Sequence, residues 1–590
     1  MDPIKANRRV ITRQYFRLLP LQVLLMAISA VNNIINSLFA SNVVGGSAMS
    51  VIALYAPITM LMTAVNSMFV GGSQLLCGKY MGKNQLEHAR NIYTLDLLMA
   101  VVFAALLTAF QVLVPLVGLT RMFTPDPDVQ KQLGVYLLGS ALGIVPLLLS
   151  QQLAAFLSLE NQTRLATIAS VAQIVANLAL DFLFTAVLKQ GVLGLGLATA
   201  LSSWVFFAIQ TQHFLRGKST MKFKLKGVRL RESLEIIKIG WPGALNFGYQ
   251  ALRGVLLNVI ITAHVGVGGL SAYGAVNTFL SVFWCIPLGM GAVGRMLISV
   301  SIGEEDRQTL TDIMRVMFYR CVPLMCVVSA GLVLCATPLA GMYYRDAADP
   351  VYQMTLWGFR IIPLSMPLSI VGLHFSAYGQ AMGKKILVQI ISLLDGVLCV
   401  AGFSALLVPL ISINGVYVAN ICNGLITAAS CFVYAWICNR RFPRTMDELM
   451  VIPDGFGVGP ENRLDLSVRD MAGVVTVSQQ VRKFLAQANV DRGRTFKAGL
   501  CLEEMAGNVI EHGFTKDNRR HSVDIRVTHK GDDLILRIKD DCVPFDPATR
   551  ASMLAPEDVS KNIGIRMVYD IADKVEYQSI LGLNVLTIRI

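Results

Sequence analysis

Residues 193–215, LGLGLATALSSWVFFAIQTQHFL, contain no Asp, Glu, Lys or Arg, and the segment that follows, RGKSTMKFKLKGVRLR (216–231), carries seven Lys/Arg and no acid. An apolar run of about 20 residues is what a helix needs to cross the hydrocarbon core of a bilayer. A short basic loop beside such a run is the kind that stays on the cytoplasmic side. Outward from this pair the pattern recurs, and twelve apolar segments are expected at about 17–40, 49–72, 92–118, 132–156, 164–188, 193–215, 239–263, 270–298, 314–341, 352–378, 386–410 and 414–437. Lys5, Arg8, Arg9, Arg13, Arg17, Lys79, Lys83, Arg90, Arg164, Arg307, Lys384, Lys385, Arg440, Arg441 and Arg444 fall on the same side as 216–231. The opposite loops hold little beyond Arg121, Lys131, Lys189 and Arg345. The reading is a multi-pass protein of a bacterial inner membrane with both termini cytoplasmic, and 216–231 is a topology-setting linker. The N-terminal apolar run is too long for a signal peptide and reads as a retained span.

The chain has 590 residues, 54% hydrophobic and 15% charged, with net charge +13 and mean hydropathy +0.57. Soluble domains average roughly 25% charged residues, which excludes an all-soluble protein. Residues 1–444 hold 16 acids and 32 Lys/Arg, whereas 445–590 hold 22 and 19. The composition is therefore that of a membrane domain followed by a soluble domain. The soluble part is net acidic, so no nucleic-acid partner is expected. The eleven cysteines include no CxxC pair and mostly lie in apolar segments, where they act as small hydrophobes.

A shift of 222 residues sets Asn36 on Asn258, Gly46 on Gly268 and Gly72 on Gly294, and brings the loop ending at Gly82 beside the one ending at Gly303. Further on, a shift of 214 matches NLALD, ending at Asp181, to ISLLD, ending at Asp395. Two tandem six-helix halves, about 1–215 and 232–440, are an architecture of transporters that alternate access between their halves.

The stretch VNNIINSLFASNVVGGSAMSVIALYAPIT (31–59), the glycine-marked loop after the second span, and LDFLFTAVLKQGVLGLGLATALSS (180–203) resemble multidrug and toxic compound extrusion (MATE) transporters. The resemblance implies two six-helix bundles that export organic cations or other amphiphiles in exchange for Na⁺ or H⁺. Where the family carries an aspartate in its first span, this chain has Asn36, which can coordinate sodium or hydrogen-bond a substrate but cannot take up a proton near neutrality. Asn32 and Asn33 extend that polar lining.

An acid placed in hydrocarbon is a functional candidate with a partner to be named. Asp181 and Asp395 are such groups: a carboxylate can be neutralised in turn by an ion or proton and by a cationic substrate. The structural alternative is that each caps a helix or pairs with a buried base. Asp96, one turn into its span, is expected at the interface, and Arg295 is expected to snorkel toward it. Glu304, Glu305 and Asp306 read as acids at a helix start.

The linker RRFPRTMDELMVIPDGFGVGPENR (440–463) places domain boundaries at 1–444, 445–460 and 461–590. Interleaved strand and helix signals over 461–590 predict an α/β sandwich with helices on one face. In CLEEMAGNVIEHGF (501–514), Glu504 and Asn508 share one helix face and can hold a water and a hard cation side by side. IKDDCVPFDP (538–547) sets acids at a strand end, and in KNIGIRMVYDIADKVEY (561–577) Gly564 lets backbone approach a phosphate where a helix begins. His512 and His521 have no thiol partner at zinc spacing.

These three segments, in this order, resemble the ATP-binding domains of anti-sigma-factor serine kinases, which share the Bergerat-type fold with gyrase, Hsp90, histidine kinases and MutL. The resemblance implies that Glu504 activates a hydroxyl or water, Asn508 holds Mg²⁺, Asp540 binds the adenine amino group of ATP, and Gly564 lies in the phosphate-facing turn. It also implies serine/threonine kinase activity, a cytoplasmic partner resembling a sigma factor or anti-sigma antagonist, and pairing into homodimers. Cys542 and Asn562 stand where the family has glycine. Two readings follow: an efflux transporter in the lipid bilayer governed by a cytoplasmic ATP-binding domain, and a membrane-anchored signalling protein whose transporter-like part is a sensor. No GxxxxGK[ST] phosphate loop is present to suggest an ATP-driven pump.

Overall fold

The structure is a computed structural model that describes residues 11–28, 46–122, 126–216, 219–225, 229–344, 346, 348–515, 521–544, 547 and 563–590. Helix α1 covers 11–28. It is followed by α2 (Gly46–Gly82), α3 (Leu86–Leu116), α4 (Pro127–Ala141), α5 (Ile144–Leu159), α6 (Thr163–Asp181) and α7 (Gly191–Leu215). The second series is α8 (Arg231–His264), α9 (Val267–Gly303), α10 (Arg307–Val316), α11 (Val322–Leu334), α12 (Ala336–Gly341), α13 (Pro350–Ile361), α14 (Met366–Met382), α15 (Lys385–Leu393), α16 (Cys399–Ile411) and α17 (Asn414–Asn439). Single π-turns continue α6 at Phe182–Val187, join α10 to α11 at Met317–Cys321 and join α15 to α16 at Leu394–Leu398. Among the described residues ten continuous helices are long and apolar enough to cross a membrane, and α4 with α5, bent by 50°, makes an eleventh. These eleven coincide with the last eleven expected segments. The first, 17–40, runs partly outside the described residues.

The two series repeat at a nearly constant interval. Gly46, Leu86, Thr163 and Gly191 start helices in the first, and Val267, Arg307, Lys385 and Asn414 start their counterparts 221, 221, 222 and 223 residues later. The drop to a shift of 214 does not occur. Asp181 is the nineteenth residue of α6, whereas Asp395 is only the eleventh from the start of α15. The likeness of NLALD to ISLLD is therefore a match of sequence and not of position.

The repeats meet along a seam of glycines. A Cβ on Gly72 would lie 2.1 Å from the Ile236 carbonyl oxygen, and one on Gly240 only 1.8 Å from that of Met68. Nearer the helix ends, Gly82 would meet Val300 O at 2.3 Å and Gly303 would meet Lys79 O at 2.0 Å. Only glycine allows backbones this close. The glycines that the repeat pairs in sequence, Gly82 and Gly303, thus touch one another. Toward the other end of the bundle, Gly248 and Gly254 of α8 have no neighbour within 4 Å of an added Cβ among the described residues, and beyond Gly248 that helix buries only Leu257 and Ile261 among them.

After α18 (Met446–Met450) the chain builds its second body from β1 (Arg463–Val468), α19 (Met471–Gln487), α20 (Arg492–Asn508), β2 (Val523–Lys530), β3 (Asp533–Asp540), α21 (Ile563–Ile571), β4 (Lys574–Ile580) and β5 (Leu583–Arg589). The sheet is antiparallel throughout, in the order β1-β2-β3-β5-β4. Successive side chains on a strand leave on opposite faces. Leu534, Leu536 and Ile538 of β3 accordingly pack with Val523, Ile525 and Val527 of β2 against Val481, Leu502 and Val568 of the helices. Asp470 and Asp491 cap α19 and α20 by accepting from backbone N–H groups of the first turn, which fixes where each helix starts.

The other face of the sheet sits on the end of the bundle where the glycine seam is closed. Ile580 and Leu581, at the β4–β5 turn, are buried in the same apolar cluster as Leu159, Leu297 and Ile313.

Candidate functional site

Asp181 ends the α-helical part of α6, at the start of a π-turn. Such turns insert one residue, leave the helix ladder irregular and often mark functional positions. The side chain is 2% exposed, and its Oδ1 has no hydrogen-bond partner among the described residues. One turn earlier, Asn177 is equally buried, and both polar atoms of its amide lack partners among the described residues. Native interiors rarely leave such groups unpaired, so two on one helix face point to a ligand. Tyr136 lies within electrostatic reach of Asp181 and stacks edge-on with Tyr55, at 5.1 Å between ring centroids. The Tyr55 hydroxyl accepts from Gln111 Nε2 at 2.9 Å, and Ser140 Oγ donates to Gln111 Oε1 at 3.3 Å. The first repeat thus sets a chain of polar side chains, Tyr136, Tyr55, Gln111 and Ser140, within electrostatic reach of Asp181. Sequence reading singled out Asp181 alone. The signal it passed over was the four-residue spacing in NLALD, which stacks Asn177 under Asp181.

Asp395 is in another situation. Its Oδ1 accepts from Asn423 Nδ2 of α17 at 2.9 Å, and its carbonyl oxygen accepts from Arg253 Nη1 of α8 at 3.2 Å. A half-buried base, Arg253, does approach it, but it meets the backbone and not the carboxylate. Asn36, Asn32 and Asn33 lie outside the described residues.

Two further expectations are corrected. Asp96 is fully buried and not at the interface, because α2 runs ten residues past the expected end of its span and lays Ser73 and Cys77 over it. Arg295 does not snorkel outward. Its Nη1 lies near Gly71 of α2, in the seam between repeats, and its buried Nε has no partner among the described residues.

In the second body, Glu504 and Asn508 lie one turn apart on α20, which changes to a π-turn at Val509–Gly513. Gly564, in the first turn of α21, faces Glu504: a Cβ there would lie 1.9 Å from Glu504 Oε2. Asp540 is buried at the end of β3, where its Oδ1 accepts from Asn584 Nδ2 at 2.7 Å and from the Cys542 amide at 3.0 Å. Burial pushes the Asp540 carboxyl above its usual range, and those two hydrogen bonds oppose the rise. Cys542 is itself buried, with its Sγ 3.2 Å from where a Cβ on Gly513 would lie. The fold therefore brings Glu504 against Gly564, and Asp540 beside the turn that follows Asn508. Asn584, which Tyr577 Oη also contacts at 2.9 Å, was not anticipated, because it enters from the last strand of the sheet. His521 pairs with Asp541 at 2.8 Å, and His512 is on the π-turn. Asn562 lies outside the described residues.

Comparison with known proteins fits this division of the chain. Residues 469–590 match the histidine kinase-like ATPase domain. A probable multidrug resistance protein NorM from Neisseria meningitidis serogroup A is 26% identical over 232 residues, which cover 37% of this chain and 50% of that protein. A protein of the same description from Bacillus licheniformis is 24% identical over 192 residues, 30% of this chain and 41% of the relative. The chain thus spans about half the length of the curated relatives it matches. Among solved structures, a MATE protein in complex with MaL6 superposes with TM-score 0.69 at 18% identity, covering 77% of this chain and all of that one. The Vibrio cholerae MATE transporter VcmN in its bent form superposes with TM-score 0.67 at 16% identity, over 75% of this chain and 99% of its own. These likenesses show the fold. The MatE family profile matches residues 22–183 and 242–404, one segment in each repeat and together more than half of the chain, so the chain belongs to the MatE family and carries a histidine kinase-like ATPase domain after its membrane helices.

Proposed function

We propose that the protein is a secondary active efflux transporter of a bacterial inner membrane. It exchanges organic cations or similar amphiphiles for Na⁺ or H⁺, and its cytoplasmic ATP-binding domain regulates it. The observation that carries this reading is the buried Asp181 carboxylate with an unpartnered oxygen, stacked on the unpartnered Asn177 amide. A carboxylate with an oxygen left unpaired can be neutralised by an ion and by a cationic substrate in turn. The basic loops favour both termini on the cytoplasmic side, with the transporter spanning 1–444, a linker at 445–460 and the ATPase domain at 461–590. The test is export of a fluorescent organic cation from a drug-sensitive host. Asp181→Asn should abolish it, and unchanged export would sink the assignment.

Glu504 and Asn508 supply the oxygen donors that Mg²⁺ prefers, and Gly564 carries no side chain where a Cβ would press on the Glu504 carboxylate. These residues fit a magnesium nucleotide: Asn508 would hold the metal, Asp540 the adenine amino group and Gly564 the phosphates. A second reading, in which an anti-sigma-type serine kinase or partner-binding domain is the working part and the bundle is its sensor, is favoured by the direct apposition of Glu504 and Gly564. In that reading a sigma-factor-like or antagonist-like protein is the partner, and pairing into homodimers follows. Titration calorimetry of Mg²⁺-ATP on the full chain, beside Asn508→Ala and Cys542→Gly, tests both. Binding removed by Asn508→Ala supports the nucleotide site; no binding in the parent, gained by Cys542→Gly, speaks for a site lost by drift.

A further inference from the structure

The face of the ATPase sheet turned away from its helices is unusually charged for a buried surface. Arg463 and Asp465 of β1, Arg526 of β2, and Arg537 and Lys539 of β3 all point from it toward the membrane bundle. They meet the loop between α9 and α10. Lys539 Nζ donates to Glu304 Oε2 at 2.7 Å, with Arg537 Nη1 at 3.7 Å from the same oxygen. Arg463 Nη1 donates to Asp306 Oδ1 at 2.7 Å, Arg526 Nη1 donates to Asp306 Oδ2, and Arg526 Nε donates to Asp465 Oδ1 at 2.7 Å. The side chains of Glu304 and Asp306 are 3% and 1% exposed. Burial alone would raise the Glu304 carboxyl, but Lys539, Arg537 and Arg526 together hold it down to about 2. Taking charges out of water is costly, and a network this dry persists only when every member is paired.

The same domain reaches the other repeat. At the β4–β5 turn the Leu581 amide donates to the Leu159 carbonyl at the end of α5, at 3.3 Å. Gly582, at φ +78°, lies against Asn161, whose Nδ2 would be 2.5 Å from a Cβ there. Leu159–Asn161 belongs to the first repeat and Glu304–Asp306 to the second. The domain therefore bridges both, at the end where the glycine seam is closed.

We propose that the ATPase domain is a clamp across the cytoplasmic ends of the two repeats, seated on Glu304–Asp306 and on Leu159–Asn161, and that it must leave one seat before the glycine seam can open. The clamp rests on the alternating-access reading above, because it acts on the motion which that reading requires. It makes docking of the domain the regulated step and gives the regulation a sign: the docked domain restrains transport.

Hydrogen exchange on the full-length protein in lipid nanodiscs tests this without any substrate. Lys539→Glu sets two acids against each other, and Asp306→Asn removes a charge while keeping an oxygen to cap α10. In each, protection of 159–161 and 579–583 should fall at least about tenfold relative to the parent, and protection of 78–82 and 298–303 should fall with it. Glu304→Lys combined with Lys539→Glu should restore both. Export by the Lys539→Glu protein should exceed that of the parent by at least about twofold. Unchanged protection at 579–583 would overturn the docking, and loss there with an unaltered seam would overturn the clamp. A parent chain and a Lys539→Glu chain that both export nothing, yet show the exchange pattern described, would sink the efflux reading and leave the docking standing.

Discussion

The two repeats place an acid on corresponding helices and treat it in opposite ways. In the first, Asp181 and Asn177 bury polar atoms that nothing in the described protein satisfies. In the second, Asp395 has Asn423 on its carboxylate and Arg253 on its carbonyl. Both acids sit at π-turns, yet two helical turns apart within the repeat. A duplicated architecture thus carries two unlike chemistries: one carboxylate is kept available, the other is tied into the packing of α15, α17 and α8.

The sharpest way to break that comparison is to neutralise each acid in turn. Asp181→Asn should reduce export of an organic cation by at least about tenfold, whereas Asp395→Asn should keep it within about threefold; comparable losses would mean the repeats work as equals. Next in size is a split of readouts between the amides. Asn423→Ala leaves the Asp395 carboxylate without its donor, a loss of about 1–3 kcal/mol, and should lower the melting temperature of the detergent-solubilised protein with little change in transport. Asn177→Ala should do the reverse, cutting export several-fold at nearly constant stability.

The glycines extend the comparison to the two ends of the bundle. Gly303→Ala would force a Cβ within 2.0 Å of Lys79 O and should destabilise by roughly 1–3 kcal/mol through overpacking. Gly254→Ala, with no described residue within 4 Å of the new Cβ, should be neutral or stabilising by up to about 1 kcal/mol from helix propensity. Thermal unfolding of the two variants side by side decides it.

The smallest effect applies the same contrast to carboxylates outside the membrane. Burial raises Asp524 to about 6, with Ser467 and Lys539 only partly offsetting it, while the cations around Glu304 hold that group near 2. A raised native value favours folding below the ordinary aspartate range, and this support is lost as pH rises through about 6. Asp524→Asn should therefore stabilise the C-terminal domain by about 1 kcal/mol at pH 7–8, an advantage that vanishes near pH 4. For Glu304 the sign is reversed: its contribution is present above about 4.5, its ordinary value, and is lost as pH falls toward 2. Melting curves across pH 2–8 separate the two.

Much of the fold was legible because each periodicity survives tertiary packing. Apolar runs of membrane length marked the spans, and alternation in DLILRIKD and NVLTIRI marked the strands, since a half-buried strand repeats every two residues. What stayed hidden depends on partners distant in the chain. Nothing near Glu304 or Asp306 in the sequence announces Lys539 or Arg526, which lie 235 and 220 residues away. As a cap for α10 the acidic run was read correctly in part: Asp306 accepts from Thr309 N at 2.9 Å. In the same way the availability of Asp181 and the satisfaction of Asp395 could not be told apart from NLALD and ISLLD, because Asn423 arrives from another helix. Asp96 was misplaced for a plainer reason, that α2 continues ten residues beyond its most apolar stretch.

Strand β3 sends alternate side chains to two different destinations. Arg537 and Lys539 leave toward the membrane bundle, while Ile538 and Asp540 leave toward the helices and the proposed adenine contact. A pleated strand advances about 3.3 Å per residue and turns successive side chains to opposite faces, so Lys539 and Asp540 are two sides of one thin partition. If Asp540 is the adenine contact proposed above, a nucleotide that pulls on it would displace the peptide plane it shares with Lys539. The distance over which ATP would have to speak to the transporter is then a single peptide bond, with no relay of intervening side chains to maintain.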